Sequence, residues 1–210
     1  MAWCDYKAAE YAALNWHYAH RMPVPPRNHL GVWEDNVFIG AVIFSRGASP
    51  SLGMRYGLGN AEFCELTRVA LRGHKTPVTQ ILKIAIRMLR KQNPGLRVIF
   101  SFADANRGHI GSIYQAGNWI YLGRTHKCYQ YIDRDGVRWH TREIVHKTPR
   151  KQMGTGICTV RKQDCRRVLE VPKFRYAYVL DESIRPKFLA NARPYPKAAE
   201  VKPVTRSATS

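Results

Sequence analysis

Apolar and polar positions along this chain recur with two different periods, and the switches between them mark out the elements. In residues 5–22, Ala8, Ala9, Ala12, Ala13, Leu14 and Trp16 favour a packed helical face behind Asp5, a good N-cap. They predict a helix that Pro23, Pro25 and Pro26 end. Two strand-like runs follow at 31–33 and 37–44, with Glu34-Asp35-Asn36 as a hairpin turn. Residues 45–60 are rich in Gly and Ser and read as a loop, long enough to be functional rather than a mere connector. Residues 63–71 read as a strand. Thr76-Pro77 supplies an N-cap and a proline at the first helical position, and Val78, Ile81, Leu82, Ile84, Ala85, Met88 and Leu89 carry a helix over 77–92. Asn93-Pro94-Gly95 stops it. Residues 96–102 are apolar apart from Arg97 and Ser101, the pattern of a buried sheet strand. A short helix at 110–116, a strand at 119–122 and a hairpin of 127–133 with 137–145 around Asp135-Gly136 come next. Residues 147–168 are basic with a partly helical pattern, and 173–180 return to strand alternation. No internal repeat is visible.

Strand, helix, strand, short helix, strand is an α/β order, and it requires at least one parallel strand pair. The strands ending near Leu71 and Phe102 are that pair. One domain over 1–146 is expected. A basic extension over 147–193 packs back through the strand near Tyr176 and Tyr178, because its apolar alternation needs a sheet to cover it. Residues 194–210, rich in Pro, Ala, Ser and Lys, read as a flexible tail.

Charge narrows the function. The 210 residues carry 34 Lys and Arg against 15 Asp and Glu, a net charge of +19. Residues 1–146 hold +9 of this and residues 147–210 hold +10, so the excess is denser toward the C-terminus. Such an excess opposes compactness unless a polyanion shares the surface, which makes duplex DNA or another nucleic acid the first partner to test, against a merely soluble basic protein. No helix carries a run of Arg, Asn and Gln suited to the major groove, so modest sequence selectivity is expected. Hydrophobic residues at 45% exclude whole-chain disorder. No run approaches the roughly 18 apolar residues of a membrane span. No signal peptide is visible at the N-terminus. The cysteines, Cys4, Cys64, Cys128, Cys158 and Cys165, form no C-x-x-C pair and read as free thiols in a reducing compartment. A nucleotide triphosphatase loop is absent, as is any D-P-P-Y-like or N-P-P-Y-like signature of an amino-methyltransferase.

Four segments hold candidate chemistry. Trp16-His17-Tyr18 closes the first helix, where helix surface or core aromatics is the competing reading. In Glu65-Leu66-Thr67-Arg68, alternation sends Glu65 and Thr67 to one face and Leu66 and Arg68 to the other. At least one of these charges must then be paired or face a cleft. Asp104 leaves the carboxyl end of a central strand, where α/β sheets bind ligands, and reads equally as base, metal ligand or helix cap. Gly108-His109-Ile110-Gly111-Ser112-Ile113-Tyr114-Gln115 permits a tight turn with Tyr114 one helical turn beyond. One histidine, one carboxylate and several phenols allow a site with oxygen and nitrogen ligands, although no H-x-D or H-E-x-x-H spacing is present.

Two resemblances follow from these segments. Leu66-Thr67-Arg68-Val69-Ala70-Leu71 with the 77–92 helix, and Tyr114-Gln115-Ala116-Gly117-Asn118-Trp119, resemble the GCN5-related N-acetyltransferase fold. That likeness implies a mixed central sheet with helices on both faces. It implies an acyl-CoA-like or other two-carbon donor held near Val69, Leu71, Lys75 and Thr76, and Tyr114 as proton donor. Lys75 and Pro77 stand where that fold's loop carries glycines. The closer resemblance is to the Mom family of bacteriophage DNA-modification proteins. It rests on Met1-Ala2-Trp3-Cys4-Asp5-Tyr6, Trp16-His17-Tyr18, Gly31-Val32-Trp33-Glu34, Phe44-Ser45-Arg46-Gly47, Glu65-Leu66-Thr67-Arg68, Ser101-Phe102-Ala103-Asp104 and Gly108-His109-Ile110-Gly111. It extends to about residue 197.

That resemblance implies an enzyme that places a methylcarbamoyl group on N6 of adenine in duplex DNA, in the cytoplasm of the infected host, and so evades restriction. It implies catalytic roles for Arg68, Asp104 and Tyr114, and iron held by His17, Tyr18 and Asp104. The N6 of a paired adenine is occupied, so the base must be extruded, and Trp16, Tyr18, Tyr56 and Trp119 are candidates to stack on it. A non-enzymatic DNA-binding accessory protein and an ordinary N-acetyltransferase are the alternatives. The oligomeric state stays open, a homodimer included.

Overall fold

The alternating runs assemble into one large mixed sheet in the computed structural model, which describes residues 1–23, 26–47, 51–140, 144, 150–152, 156–158 and 160–197. Its strands are β1 (Ala2–Trp3), β2 (Pro26–Glu34), β3 (Val37–Ser45), β4 (Phe63–Leu71), β5 (Val98–Ala103), β6 (Ile120–Arg124) and, from far along the chain, β12 (Phe174–Val179). Their spatial order is β1-β2-β3-β4-β5-β12-β6. Among the described residues only β4 and β5 pair in parallel, from Phe63 opposite Val98 to Leu66 opposite Ser101, as their shared connection through a helix requires. The C-terminal strand β12 is antiparallel to β5 on one side and to β6 on the other.

Both faces are covered, which is why β3 is buried from Ile39 to Ser45. Helix α3 (Val78–Gln92) lays Ile81, Leu82, Ala85, Ile86 and Leu89 on one face. On the other face α1 (Tyr6–Trp16) packs Ala9, Ala12 and Ala13 against Ala41, Ile43 and Ala70. These small residues let the helix approach closely. Beside it, α5 (Arg185–Leu189) inserts Phe188 among Tyr56, Phe63 and Phe100. Short helices α2 (Ser51–Met54) and α4 (Ser112–Gln115) complete the main body. Tyr56 and Trp119, candidates for base stacking, are core side chains instead, 5% and 1% exposed. Tyr56 stacks on Phe188 with centroids 4.1 Å apart.

The chain between β6 and β12 forms a three-stranded satellite sheet. Its strands are β7 (Cys128–Ile132), β8 (Arg138–His140) and β11 (Arg166–Glu170), in the order β11-β7-β8. A hairpin of β9 (Arg150–Gln152) and β10 (Gly156–Cys158) lies between β8 and β11 in the chain. The helical pattern expected in 147–168 reduces, among the described residues, to one 3-10 turn at Lys162–Asp164. Residues 166–170 are strand because Val168 and Leu169 pair with Gln130 and Tyr129 of β7.

The start of the expected tail is anchored: Tyr195 Oη donates to Trp119 O at 2.8 Å, and Gln115 Nε2 donates to Pro196 O at 3.3 Å. Residues 198–210 lie outside the described residues, as do 141–143, 145–149 and 153–155. Among the described residues no helix is long and apolar enough to cross a membrane.

Candidate active site

Strand β4 carries the first irregularity that matters. Ile43 faces Arg68 and Phe44 faces Leu66, so the ladder between β3 and β4 shifts by one residue and Thr67 is the bulge. The Thr67 hydroxyl donates to Ile43 O at 3.0 Å and holds the distortion in place. The shift moves Arg68 to the opposite face from Leu66, onto the face of Ile43 and Ala70. Simple alternation puts the two together; the bulge separates them. Beyond Leu66 and Ser101 the parallel ladder to β5 stops. A cavity of about 380 Å³ opens there, at the carboxyl ends of β4 and β5.

Helix α1 ends at Trp16, well short of the expected residue 22, because His17 turns extended and His20 adopts a positive φ of 45°. The His20 Nδ1 lies 2.7 Å from Leu14 O and so satisfies a carbonyl of the last turn. The early stop carries His17 and Tyr18 to the cavity. Their rings lie 4.2 Å apart, and the Tyr18 ring lies 5.4 Å from that of His109. Asp104 leaves β5 and its Oδ1 accepts from Asn106 N at 3.0 Å and from Asn106 Nδ2 at 3.2 Å, capping the 3-10 turn Ala105–Arg107. Among the described residues its Oδ2 has no hydrogen bond. The cap and cleft readings of Asp104 are therefore compatible, one oxygen each.

Arg68, Val69, Leu71 and Tyr114 also line the cavity. Arg68 Nη1 donates to Thr67 O at 2.7 Å and Nε donates to Arg21 O at 3.2 Å, which fixes the guanidinium to backbone. Tyr114 is buried beneath it all. The Ser101 hydroxyl sits 2.7 Å from Tyr114 Oη and 2.8 Å from Leu66 O. A carbonyl can only accept, so the single Ser101 proton goes to Leu66 and Tyr114 donates its own to Ser101. Burial pushes the Tyr114 phenol well above its ordinary pKa. Burial, then the Asp104 carboxylate, raises Tyr18 as well, so both phenols are protonated at neutral pH.

His17 is buried, and burial, followed by the charges of Arg68, His109 and His20, lowers its pKa to about 3. The ring is neutral, and its Nδ1 accepts from Ala19 N at 3.1 Å, which places the ring proton on Nε2. A metal at Nε2 needs the lone pair there and the proton on Nδ1, facing a backbone N–H. As hydrogen-bonded here, His17 turns no lone pair toward Tyr18 and Asp104, so the three do not fit an iron ion as arranged. Among the described residues no group of three His, Cys, Asp or Glu side chains converges on a metal-sized space.

Lys75 and Thr76 do not line the cavity. Their backbone amides donate to the two carboxylate oxygens of Glu34, each at 2.8 Å, and Lys75 Nζ pairs with Asp35 at 2.7 Å. The Lys75 and Thr76 bonds hold the Glu34 carboxyl down at about 2. The side-chain cap expected from Thr76 is absent, for Pro77 takes the N-cap position of α3 and the Glu34 carboxylate serves the preceding amides. Ser101 and His109, which lie in candidate segments but were given no role of their own, join the site. A polar residue in an apolar buried strand, and a histidine between two glycines, are the signals that mark them.

Gly111, with φ of 82°, opens α4 directly against the site. A Cβ there would lie 2.8 Å from Tyr176 Cζ and 2.9 Å from Tyr114 Cδ2. Gly111→Ala is expected to cost roughly 2–3 kcal/mol, lowering the melting temperature by about 5–10 °C. A thermal melt that moved by less than a degree would contradict this packing.

Comparison with known proteins gives a family for the chain. The family model described as the Mom protein family matches residues 1–197. Among individual proteins, the chain is 26% identical over 188 residues to the methylcarbamoylase Mom of Escherichia phage Mu, covering 86% of this chain and 76% of that protein. A solved Bacillus subtilis acetyltransferase in complex with CoA is similar at 13% identity with a TM-score of 0.39, over 73% of this chain and 77% of that one. A match over residues 1–197, which takes in every described residue, leaves one conclusion: the chain belongs to the Mom protein family.

Proposed function

We propose that this protein is a DNA-modifying transferase that attaches a methylcarbamoyl group to N6 of adenine in duplex DNA, in the cytoplasm of a phage-infected cell, and so protects phage DNA from restriction. The observation that carries the reading is the convergence of His17, Tyr18, Arg68, Asp104 and Tyr114, from four separate stretches of chain, on one cavity of about 380 Å³. That volume is in the roughly 300–1,000 Å³ range of small-molecule sites, enough for a flipped base. The net charge of +19 and the family membership support the substrate.

Adenine N6 is a poor nucleophile, because its lone pair is delocalised into the ring. In the proposed reaction N6 forms a bond to the donor carbon, and the bond from that carbon to its leaving group breaks. The free Oδ2 of Asp104 takes the N6 proton. The departing group keeps the electron pair and receives the Tyr114 proton. Ser101 then rotates its own proton from Leu66 O to the phenolate. Arg68, held by two backbone carbonyls, orients the donor's carbonyl. The Nε2–H of His17 supplies a neutral donor, and the exposed part of Tyr18 with Trp16 gives the base a surface to stack on. The donor is a two-carbon amide donor, acyl-CoA-like or otherwise, and no step requires iron.

Mass spectrometry of nucleosides from DNA of cells expressing the chain tests this directly. A modified deoxyadenosine of the expected mass is the predicted result. Unmodified adenine with tight DNA binding would point to an accessory protein, and acetylated small amines or proteins to an ordinary N-acetyltransferase. Either outcome would overturn the proposal.

A further inference from the structure

The satellite sheet enters and leaves the main body at a telling place. Strand β6 ends at Arg124 and β12 begins at Phe174, and these two residues pair with each other. Phe174 also pairs with Ala103, the residue before Asp104. The chain from 125 to 173 is thus rooted at the end of the sheet where the cleft opens.

The satellite has a polarity of its own. At its rooted end Cys128 pairs with Glu170, and the Cys128 thiol donates to the buried Glu170 carboxylate at 2.8 Å. At its outer end Ile132 is flanked by Arg166 on one side and Arg138 on the other. From Cys128 to Ile132 is four residue steps, roughly 13 Å of strand. Arg134, Arg138, Arg166 and Arg167 are all exposed at this outer end. The Arg167 guanidinium lies 4.0 Å from the centre of the Tyr129 ring, which keeps it extended on an aromatic support.

Neutralising carboxylates are scarce there. Residues 124–173 contain thirteen Lys and Arg against five Asp and Glu. Asp133 keeps its charge but is tied to Trp139 Nε1 at 2.6 Å and Val137 N at 2.8 Å, and Asp135 and Asp164 are exposed nearby, each without an ion pair among the described residues. Glu170 is taken by Cys128 and Lys173. Among the described residues none of the four outer arginines has an ion pair. Four exposed guanidiniums without ion pairs among the described residues, outnumbering the carboxylates near them, on an arm rooted at the cleft end of the sheet, fit the phosphates of a double helix, whose charge is dense and regularly spaced.

We infer that the outer end of the satellite sheet docks on the phosphate backbone of duplex DNA and holds the duplex over the cleft. The inference rests on the reading of the chain as a DNA-modifying enzyme. It assigns positioning of the duplex to the arm and chemistry to the cleft.

The test is duplex binding, followed by fluorescence anisotropy across a salt series, with the full chain. The quadruple variant Arg134→Gln, Arg138→Gln, Arg166→Gln, Arg167→Gln is expected to lower the slope of log affinity against log salt by roughly 2–4. Its affinity at moderate salt should fall at least about tenfold. The same four positions changed to Lys should keep most of the slope, which separates charge from folding. A matched set on the outward face of α3, Lys83→Gln, Arg87→Gln, Arg90→Gln, Lys91→Gln, lies toward the other end of the sheet and should change the slope by less than about 1. An unchanged slope in the satellite variant, or an equal loss in the α3 set, would overturn the docking surface while modification by the wild type still stood. A wild type that neither bound duplex nor modified adenine would instead remove the functional reading itself.

Discussion

Asp104→Asn and Tyr114→Phe should each reduce modified adenine at least about a hundredfold, the usual contribution of a positioned acid or base, with little change in fold. Both variants isolate chemistry from structure. Asparagine at 104 keeps a side-chain oxygen for Asn106 N, so the cap on the 3-10 turn survives. Asp104→Ala would lose that cap as well, at about 1 kcal/mol. Phenylalanine at 114 leaves the Ser101 hydroxyl bonded to Leu66 O, so no donor is orphaned, and the stability cost is about 1 kcal/mol. Duplex affinity should hold in both, because neither residue is among the arginines proposed to meet the phosphates. Nucleoside analysis beside a melting curve for each protein decides the matter. If both variants kept substantial modification, Asp104 would be a cap and Tyr114 a packing residue, and the assignment of acid and base would fail.

A chain ended after Pro172 should not fold at all. It would lose β12, in which Phe174, Tyr176 and Ala177 are fully buried and Val179 is nearly so. At roughly 1.5–3 kcal/mol for each large apolar side chain, that loss alone approaches the whole stability of an ordinary domain, about 5–15 kcal/mol. It would also leave β5 and β6 facing each other across an empty strand position, with open edges prone to aggregation. The Tyr176 hydroxyl, which donates to Ile110 O beside the active site, would go too. Circular dichroism of the truncated chain should show no cooperative thermal transition. A cooperative melt near that of the full chain would show that the sheet closes without its last strand.

The elements legible in the sequence were those with a long local signal. The α3 periodicity, the parallel pair β4 and β5, the hairpin of β2 and β3, and the alternation in β12 all describe how a segment meets its immediate neighbours. The gathering of His17, Arg68, Asp104 and Tyr114 in one cleft followed from strand order, since the ends of adjacent parallel strands share one edge. Three features were not legible, each for a tertiary reason. The bulge at Thr67 depends on a hydroxyl reaching a carbonyl of the neighbouring strand. The stop of α1 at Trp16 depends on a side chain six residues beyond Leu14. The burial of Tyr56 and Trp119 depends on α5 and on the chain around Tyr195, far away in sequence.

Glu34 gives the β2–β3 hairpin first claim on the amides ahead of α3. Two successive amides ahead of α3 already carry a carboxylate that stays ionised far into acid. A diphosphate group arriving there would compete with a tethered anion that is always present and is never diluted. Lys75, the nearest cation, is already paired with Asp35. The hairpin docked on the loop and a diphosphate bound to the loop are therefore mutually exclusive occupants of one seat. While the hairpin keeps it, the seat is closed to any other anion.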